Sequence, residues 1–404
     1  MIVSRYQAKF NFRVQNIVIL NIINILGRLF FAWSKNRNLP IPKNIKKILV
    51  IRAGSLGDVL LVTPLLHALR ESFPRAQITA LIPPLARECL EHNPDINKII
   101  TTDLVWRRGT FNPFKIMRLG FQLKKEQFDL GLDPRGDIRN MLILFLSKTR
   151  YRVSFGNTSG GDFLLHQAVV YREKHEIDSS LDLLRSIDAE IKSRNMVFMM
   201  DESDYSLTRE FLVKMGLVKG EFIVGFHPSS SWMFKDWPAE KFAHVGDYLT
   251  TKYRARIIIL GKNQKDYEIA QRIHDLMDDK PIIAVGDLNL RQTVALIDLM
   301  SMFVCNSSAA AHLAAMTSTP TIVLFGSDEM TPWLHENQRG LKKDVACSPC
   351  RQRRCRRAGQ PDQCMHLISA EHVIEVIEDI MRKEHARRDK LVGPPGWEQI
   401  RNAP

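Results

Sequence analysis

The chain is poor in cysteine, with six in 404 residues, too few for a disulfide-built scaffold. No acidic residue precedes Asp58, although ten lysines and arginines do (Arg5, Lys9, Arg13, Arg28, Lys35, Arg37, Lys43, Lys46, Lys47 and Arg52). No GxGxxG fingerprint follows the first expected strand, so a dinucleotide site of that type has no support. No internal repeat is evident. What remains is ordinary for a folded protein: 45% apolar and 25% charged residues. That balance excludes a disordered, collagen-like or polytopic membrane chain. At about 150 residues per domain, the length suggests two or three domains.

The net charge is +13, and its placement is uneven. The first 57 residues carry most of it, and a second basic cluster spans Lys342 to Arg357. Such asymmetry points to an anionic partner: nucleic acid, anionic lipid or a phosphorylated substrate. No nucleic-acid motif is recognisable. Ile17 to Trp33 reads IVILNIINILGRLFFAW. As a helix it reaches only about 26 Å, short of a ~30 Å hydrocarbon core. At about 100° per residue, Arg13, Asn16, Asn21, Asn24, Arg28 and Lys35 share one arc, and the rest is broadly apolar. That pattern suits a helix lying in a membrane interface, with flanking cations drawn to anionic lipid. A helix packed on the protein's own core is the other reading. No small-residue cleavage site follows Trp33, which argues against a signal peptide.

Leu39 to Asn44 (LPIPKN) breaks the chain between this arm, residues 1–44, and the body. Short apolar runs then alternate with amphipathic stretches. Strands are expected at 47–51, 77–82, 98–101, 128–133 and 151–155, with helices over 58–72 and 137–147. After a less regular stretch the rhythm restarts: strands at 222–226, 256–260, 281–285, 302–305 and 321–325, with helices between them. The expectation is α/β: two doubly wound domains, 45–200 and 201–369, facing a cleft, with ligands at the carboxyl ends of the strands. A final amphipathic helix near 370–385, in the segment 370–404, is expected to pack back on the first domain.

Four stretches carry candidate chemistry. Gly54 and Gly57, in Ala53-Gly-Ser-Leu-Gly-Asp58, let the backbone turn tightly beside a ligand. Asp58 opens a helix at the sheet's carboxyl edge, as a capping carboxylate or as a base in the cleft. Ser229 and Ser230, in His227-Pro-Ser-Ser-Ser231, offer hydroxyls and N–H groups to phosphate oxygens, and Lys235 offers an ammonium to offset leaving-group charge. Asn306, Ser307 and Ser308, between a strand and a helix that contains His312, are with His312 candidate donor contacts: small alanines let a diphosphate approach the helix N-terminus, and an ordinary helix capped by the serine hydroxyls is the alternative. Cys347, Cys350, Cys355 and Cys364 have the number and spacing of a four-thiolate structural site for zinc or iron, within the loop 347–364. The intervening arginines would lower the thiol pKa values, and reduced thiols in a loop are the alternative.

Together these pieces resemble the family-nine glycosyltransferases, the lipopolysaccharide heptosyltransferases, over about Lys46 to Ile380. The anchors are Ile48-Leu-Val-Ile-Arg-Ala-Gly-Ser-Leu-Gly-Asp-Val59, Thr63-Pro-Leu-Leu66, His227-Pro228, Lys235-Asp-Trp-Pro238, His312-Leu-Ala-Ala315 and Leu324-Phe-Gly326. The Cys-Ser-Pro-Cys stretch and Cys364-Met365 are similar too. The resemblance implies a GT-B architecture and inverting transfer from a nucleotide sugar, typically ADP-heptose, with no metal required for the chemistry. It implies a lipopolysaccharide-core or lipid A-type acceptor, and a peripheral place on the cytoplasmic face of the inner membrane. It implies Asp58 as the base and Ser229, Ser230 and Lys235 as diphosphate ligands. One departure stands out: where the family usually has Asn-Asp-Ser-Gly, this chain has Asn306-Ser307-Ser308-Ala309. A non-catalytic GT-B-like protein of envelope glycan assembly, or one using another nucleotide sugar, is the alternative function.

Overall fold

The structure, a computed structural model, describes residues 24, 25, 27, 40–103, 112–350, 355 and 362–390. The chain divides into two compact units, Met1–Met199 and Met200–Pro404.

The first unit is built on β1 (Lys47–Ile51), followed by helices α1 (Leu56–Leu60) and α2 (Thr63–Ser72). One continuous helix was the expectation here, and Pro64 is why two form. A proline has no N–H for the carbonyl of Leu60, four residues earlier, and its ring crowds that carbonyl. The Thr63 hydroxyl donates to Leu60 O at 2.8 Å instead, and the helix restarts with proline in its first turn. Then come β2 (Gln77–Ile82), β3 (Lys98–Thr101), α3 (Pro113–Leu123), β4 (Leu130–Asp133), α4 (Ile138–Leu146), β5 (Tyr151–Phe155), β6 (Gln167–Val169) and α5 (Glu176–Arg185). All six strands are parallel, in the order β3-β2-β1-β4-β5-β6.

The second unit repeats the plan. It runs α6 (Glu202–Lys214), β7 (Ile223–His227), α7 (Ala239–Tyr253), β8 (Arg256–Gly261), α8 (Gln264–Leu276), β9 (Ile282–Val285) and α9 (Leu290–Asp298). It continues with β10 (Met302–Asn306), α10 (Ala309–Ala314), β11 (Thr321–Phe325), β12 (Gln338–Lys342), α11 (Gln363–His366) and α12 (Ala370–Lys390). Its strands are again parallel, ordered β12-β11-β10-β7-β8-β9. Counted from each unit's first strand, both sheets have the 3-2-1-4-5-6 order of a doubly wound fold. Strands β10 and β11 are buried along their whole length, which is why they read as unbroken apolar runs rather than alternating ones.

Helix α12 packs on α7 of the second unit. Its Val373, Ile377 and Ile380 lie in the core of the second unit with Phe242, Val245 and Leu249 of α7. The Tyr248 and Tyr253 hydroxyls of α7 donate to Glu378 at 2.6 and 2.5 Å. The apolar stripe of α12 therefore helps to close the second unit.

Most of the expected arm helix lies outside the described residues. Of its polar stripe, Asn24 is described and buried, and its Oδ1 accepts from Gly161 N at 2.8 Å. Its neighbour Ile25 is 58% exposed. No helix among the described residues is long and apolar enough to cross a membrane.

Candidate active site

In each sheet the strand order reverses beside the first strand, between β1 and β4 and between β7 and β10. Ligands of doubly wound sheets bind outside the carboxyl ends of the strands at this switch point. The sequence-derived candidates lie at those two ends.

At the end of β1 comes Arg52, 2% exposed, and then the turn into α1. Ser55 is the N-cap and Asp58 the third helical residue, and together they form a capping box. Asp58 Oδ2 accepts from Ser55 N at 2.7 Å and from Ser55 Oγ at 2.8 Å. Its Oδ1 accepts from Arg52 Nη2 at 2.8 Å. Arg52 also donates to the carbonyls of Asp58 and Pro134 and lies 3.5 Å from Glu176 Oε2. Burial alone would raise the Asp58 pKa, but Arg52, Arg135 and the Ser55 hydrogen bonds outweigh it and hold the carboxyl far below the usual carboxylate range. The side chain keeps 20% of its surface open. Gly54 belongs to this turn because a Cβ there would sit 2.5 Å from Asp58 Oδ2.

Sequence reasoning missed the rest of this cluster. Asp133 ends β4, wholly buried, and accepts from Asp137 N, Asn140 Nδ2 and Ser154 Oγ at 2.8–2.9 Å. Burial pushes its carboxyl up. Asp137 caps α4 and takes a two-pronged ion pair from Arg139, at 2.8 and 2.6 Å. Arg135 reaches Ala53 O at 3.3 Å. The visible signal was Asp133-Pro-Arg-Gly-Asp137, a charged turn straight after a strand. Arg52 and Glu176 gave none, being 124 residues apart in sequence.

In the second unit, β7 ends at His227. Burial lowers the pKa of this imidazole, and its Nδ1 lies 3.1 Å from Ser229 O. Ser229 and Ser230 are both buried. Ser230 Oγ sits 2.7 Å from Asp236 Oδ1, and Lys265 Nζ meets Ser230 O and Asp236 Oδ2 at 2.8 and 2.7 Å. Lys235 pairs with Asp328, which follows β11. It is therefore not a solvated surface lysine.

Asn306 is wholly buried, and both ends of its amide are engaged: Nδ2 donates to Pro228 O at 2.6 Å and Oδ1 accepts from Trp237 N at 3.3 Å. It ties two loops together. Ser308 occupies the N-cap of α10 but makes no capping hydrogen bond, and its hydroxyl is buried without a partner among the described residues. The Ser327 hydroxyl, at the end of the neighbouring strand, is in the same position. Unpaired buried hydroxyls are costly and call for a ligand or water. His312 is buried, with Nδ1 2.9 Å from His335 Nε2.

The cysteines do not fit the expected four-thiolate centre. Among the described residues no three His, Cys, Asp or Glu side chains converge as metal ligands. Cys364 is buried against Gly326, and Cys355 Sγ accepts from Asp362 N at 3.4 Å. Burial, reinforced by the Cys350 and Cys347 thiols, pushes the Cys364 pKa up to about 11, opposite to the lowering expected from neighbouring arginines.

Comparison with known proteins bears on this geometry. The family model of glycosyltransferase family 9 (heptosyltransferase) matches residues 116–360. Lipooligosaccharide heptosyltransferase 2 of Campylobacter jejuni is 25% identical over 354 residues, 84% of this chain and 99% of that protein. Two solved structures share the fold. One is a family 9 glycosyl transferase from Veillonella parvula, with TM-score 0.73 and 21% identity, over 85% of this chain and all of that one. The other is E. coli ADP-heptose lps heptosyltransferase II, with TM-score 0.66 and 20% identity, over 84% and 99%.

Proposed function

The chain belongs to glycosyltransferase family 9 and is a GT-B glycosyltransferase, and from that premise we propose that it moves heptose from ADP-heptose to a lipopolysaccharide-core acceptor with inversion. The observation that carries the mechanism is the Asp58 carboxylate, ionised, with both oxygens held in place and 20% of the side chain still open. An acceptor hydroxyl oxygen attacks the anomeric carbon as the bond from that carbon to the diphosphate breaks. The hydroxyl proton passes to Asp58, and ADP leaves with the bonding electrons. No covalent sugar intermediate forms.

A carboxylate with so low a pKa is a weak base toward a resting alcohol. It suffices once the new bond has begun to form, because the attacking oxygen then takes on oxonium character and becomes strongly acidic. Proton transfer is late, and Arg52 and Ser55 hold the carboxylate in place for it.

Ser229, Ser230, Ser307 and Ser308 form the candidate donor loops, with the unpaired Ser308 hydroxyl as a donor to phosphate oxygen. Lys235 offsets the charge that develops on the leaving diphosphate, once the diphosphate competes with Asp328 for it. No step runs through a metal. A panel of ADP-, UDP- and GDP-sugars read as thermal stabilisation tests the donor, with ADP-heptose expected to raise Tm most. Stabilisation by a UDP- or GDP-sugar instead would replace ADP-heptose. No turnover on any acceptor, despite binding, would favour the non-catalytic reading.

We place the enzyme on the cytoplasmic face of the inner membrane, attached through its basic arm. The cations of the first 57 residues support this, as does the inward Asn24 beside the outward Ile25. Deleting residues 1–40 should weaken sedimentation with anionic vesicles, and unchanged sedimentation would remove the idea.

A further inference from the structure

Helix α3, Pro113–Leu123, is seated by one face on the described residues of the first unit. Ile116 and Leu123 enter a core cluster with Ile143 and Leu144 of α4. Gly120 makes the approach possible, because a Cβ there would lie 2.5 Å from Leu146 Cβ. Pro113 in the first turn and the Asn112 side chain, accepting from Lys115 N at 3.0 Å, fix where the helix begins. Its buried face is thus satisfied.

The outer face is not what a solvated helix presents. Phe114 is 81% exposed, Met117 45% and Phe121 52%. At about 100° per residue these three fall within roughly 60° of one another, so they form one ridge. Lys115, Arg118, Lys124 and Lys125 are exposed on the same helix and the short turn that ends it. Two phenylalanines and a methionine lined up in water, bordered by four cations, need a covering surface that is apolar below and anionic above.

We propose that α3 is a membrane-docking surface: its Phe114–Met117–Phe121 ridge inserts among acyl chains while the flanking cations meet anionic headgroups. This deepens the membrane attachment proposed above and rests on a different element from the arm. A second copy of the chain is the competing occupant, and two observations disfavour it. The ridge offers on the order of 350 Å² of apolar surface, less than half of the roughly 800 Å² per partner of a standard interface. A symmetric pairing would also bring like charges of two copies together. A bilayer has no such repulsion, and each lysine or arginine at an anionic surface favours binding roughly fivefold.

The test uses the full chain and vesicles of phosphatidylcholine with phosphatidylglycerol, against phosphatidylcholine alone. Phe114→Ser with Phe121→Ser should lower the partition onto anionic vesicles at least about tenfold. Lys115→Glu with Arg118→Glu should lower it on anionic vesicles and leave the weak binding to neutral ones unchanged. Phe121→Trp should give emission that shifts to the blue when anionic vesicles are added. All of these side chains are exposed, and circular dichroism checks that each variant is folded. The same substitutions in a chain lacking residues 1–40 separate the two contacts. If deleting the arm abolishes binding while the phenylalanine variant of the full chain binds as before, the arm stands and the α3 proposal falls. If the deleted chain still binds and loses binding with the phenylalanines, α3 stands without the arm. A dimer in light scattering that the phenylalanine variant converts to monomer would assign the ridge to a second copy and overturn the proposal.

Discussion

Replacing Asp58 by asparagine separates its two roles, because both can be sized from the structure. The first is structural. Arg52 is 2% exposed and loses its closest carboxylate, 2.8 Å away. Removing one partner of a buried ion pair typically costs about 3–5 kcal/mol. The cost should be smaller here. Glu176 and two backbone carbonyls stay on the guanidinium, the Asp58 side chain is 20% open, and an amide oxygen can still accept from Ser55 N. A loss of about 2–3 kcal/mol is expected. The second role is chemical. An amide cannot take the acceptor proton, so transfer should fall by roughly 10²–10⁴ per folded molecule.

The assay pairs denaturant unfolding with turnover measured well below the variant's Tm, expressed per folded enzyme, and with donor affinity, which should not change. A variant that is destabilised yet turns over normally would show that Asp58 is a cap and counter-ion only, and the mechanism would fail. The pH dependence adds a second check. The folded-state pKa of Asp58 is depressed, so its contribution to stability is complete above its unfolded value and is lost only as pH falls through acid toward the folded value. From neutral pH down to about 5 the carboxylate stays ionised, and no acid limb in kcat/KM should belong to it. An acid limb near neutrality that disappears in Asp58→Asn would refute the reasoning.

Three further outcomes follow from the geometry. Lys235→Ala should weaken ADP binding about tenfold in calorimetry, whereas Asp328→Asn should tighten it by freeing the ammonium; equal effects in one direction would deny that the two compete. Asn306→Ala should cost about 1–3 kcal/mol in unfolding by stripping partners from Pro228 O and Trp237 N, and should also raise the donor KM by loosening both loops. Cys364, with its thiol pKa near 11, should alkylate about a hundredfold more slowly at pH 8 than an ordinary thiol, read by mass spectrometry against exposed Cys347.

Much of the fold was legible because its strands are buried on both faces and bounded by turns. Runs such as Lys47–Ile51 and Thr321–Phe325 have no other sensible reading. The strands that escaped notice, Gln167–Val169 and Gln338–Lys342, stand at sheet edges, where burial is partial and the apolar signal is weak. At the candidate site, the residues placed by a local motif were legible: Gly54, Asp58 and Lys235 all lie shortly after a strand end. Their partners were not. Glu176 comes to Arg52 across 124 residues, and Asp328 to Lys235 across 93. No window of sequence carries such a pairing, since it depends on how strands stack side by side. The cysteines show the converse. Their spacing alone suggests a metal, but Cys364 folds into a core beneath Gly326, where it serves packing.

Two sheets with the same strand order carry different side chains at the same place. After β1 the Asp58 and Glu176 carboxylates meet the buried Arg52; after β7 the Ser230 hydroxyl and Lys265 meet the Asp236 carboxylate. Backbone topology therefore sets where a ligand can approach and leaves the kind of ligand to the few residues after each strand. In each cluster a charged group already has a partner, Arg52 on Asp58 and Asp328 on Lys235, so under the proposed mechanism substrate has to compete with a contact that is in place before it arrives.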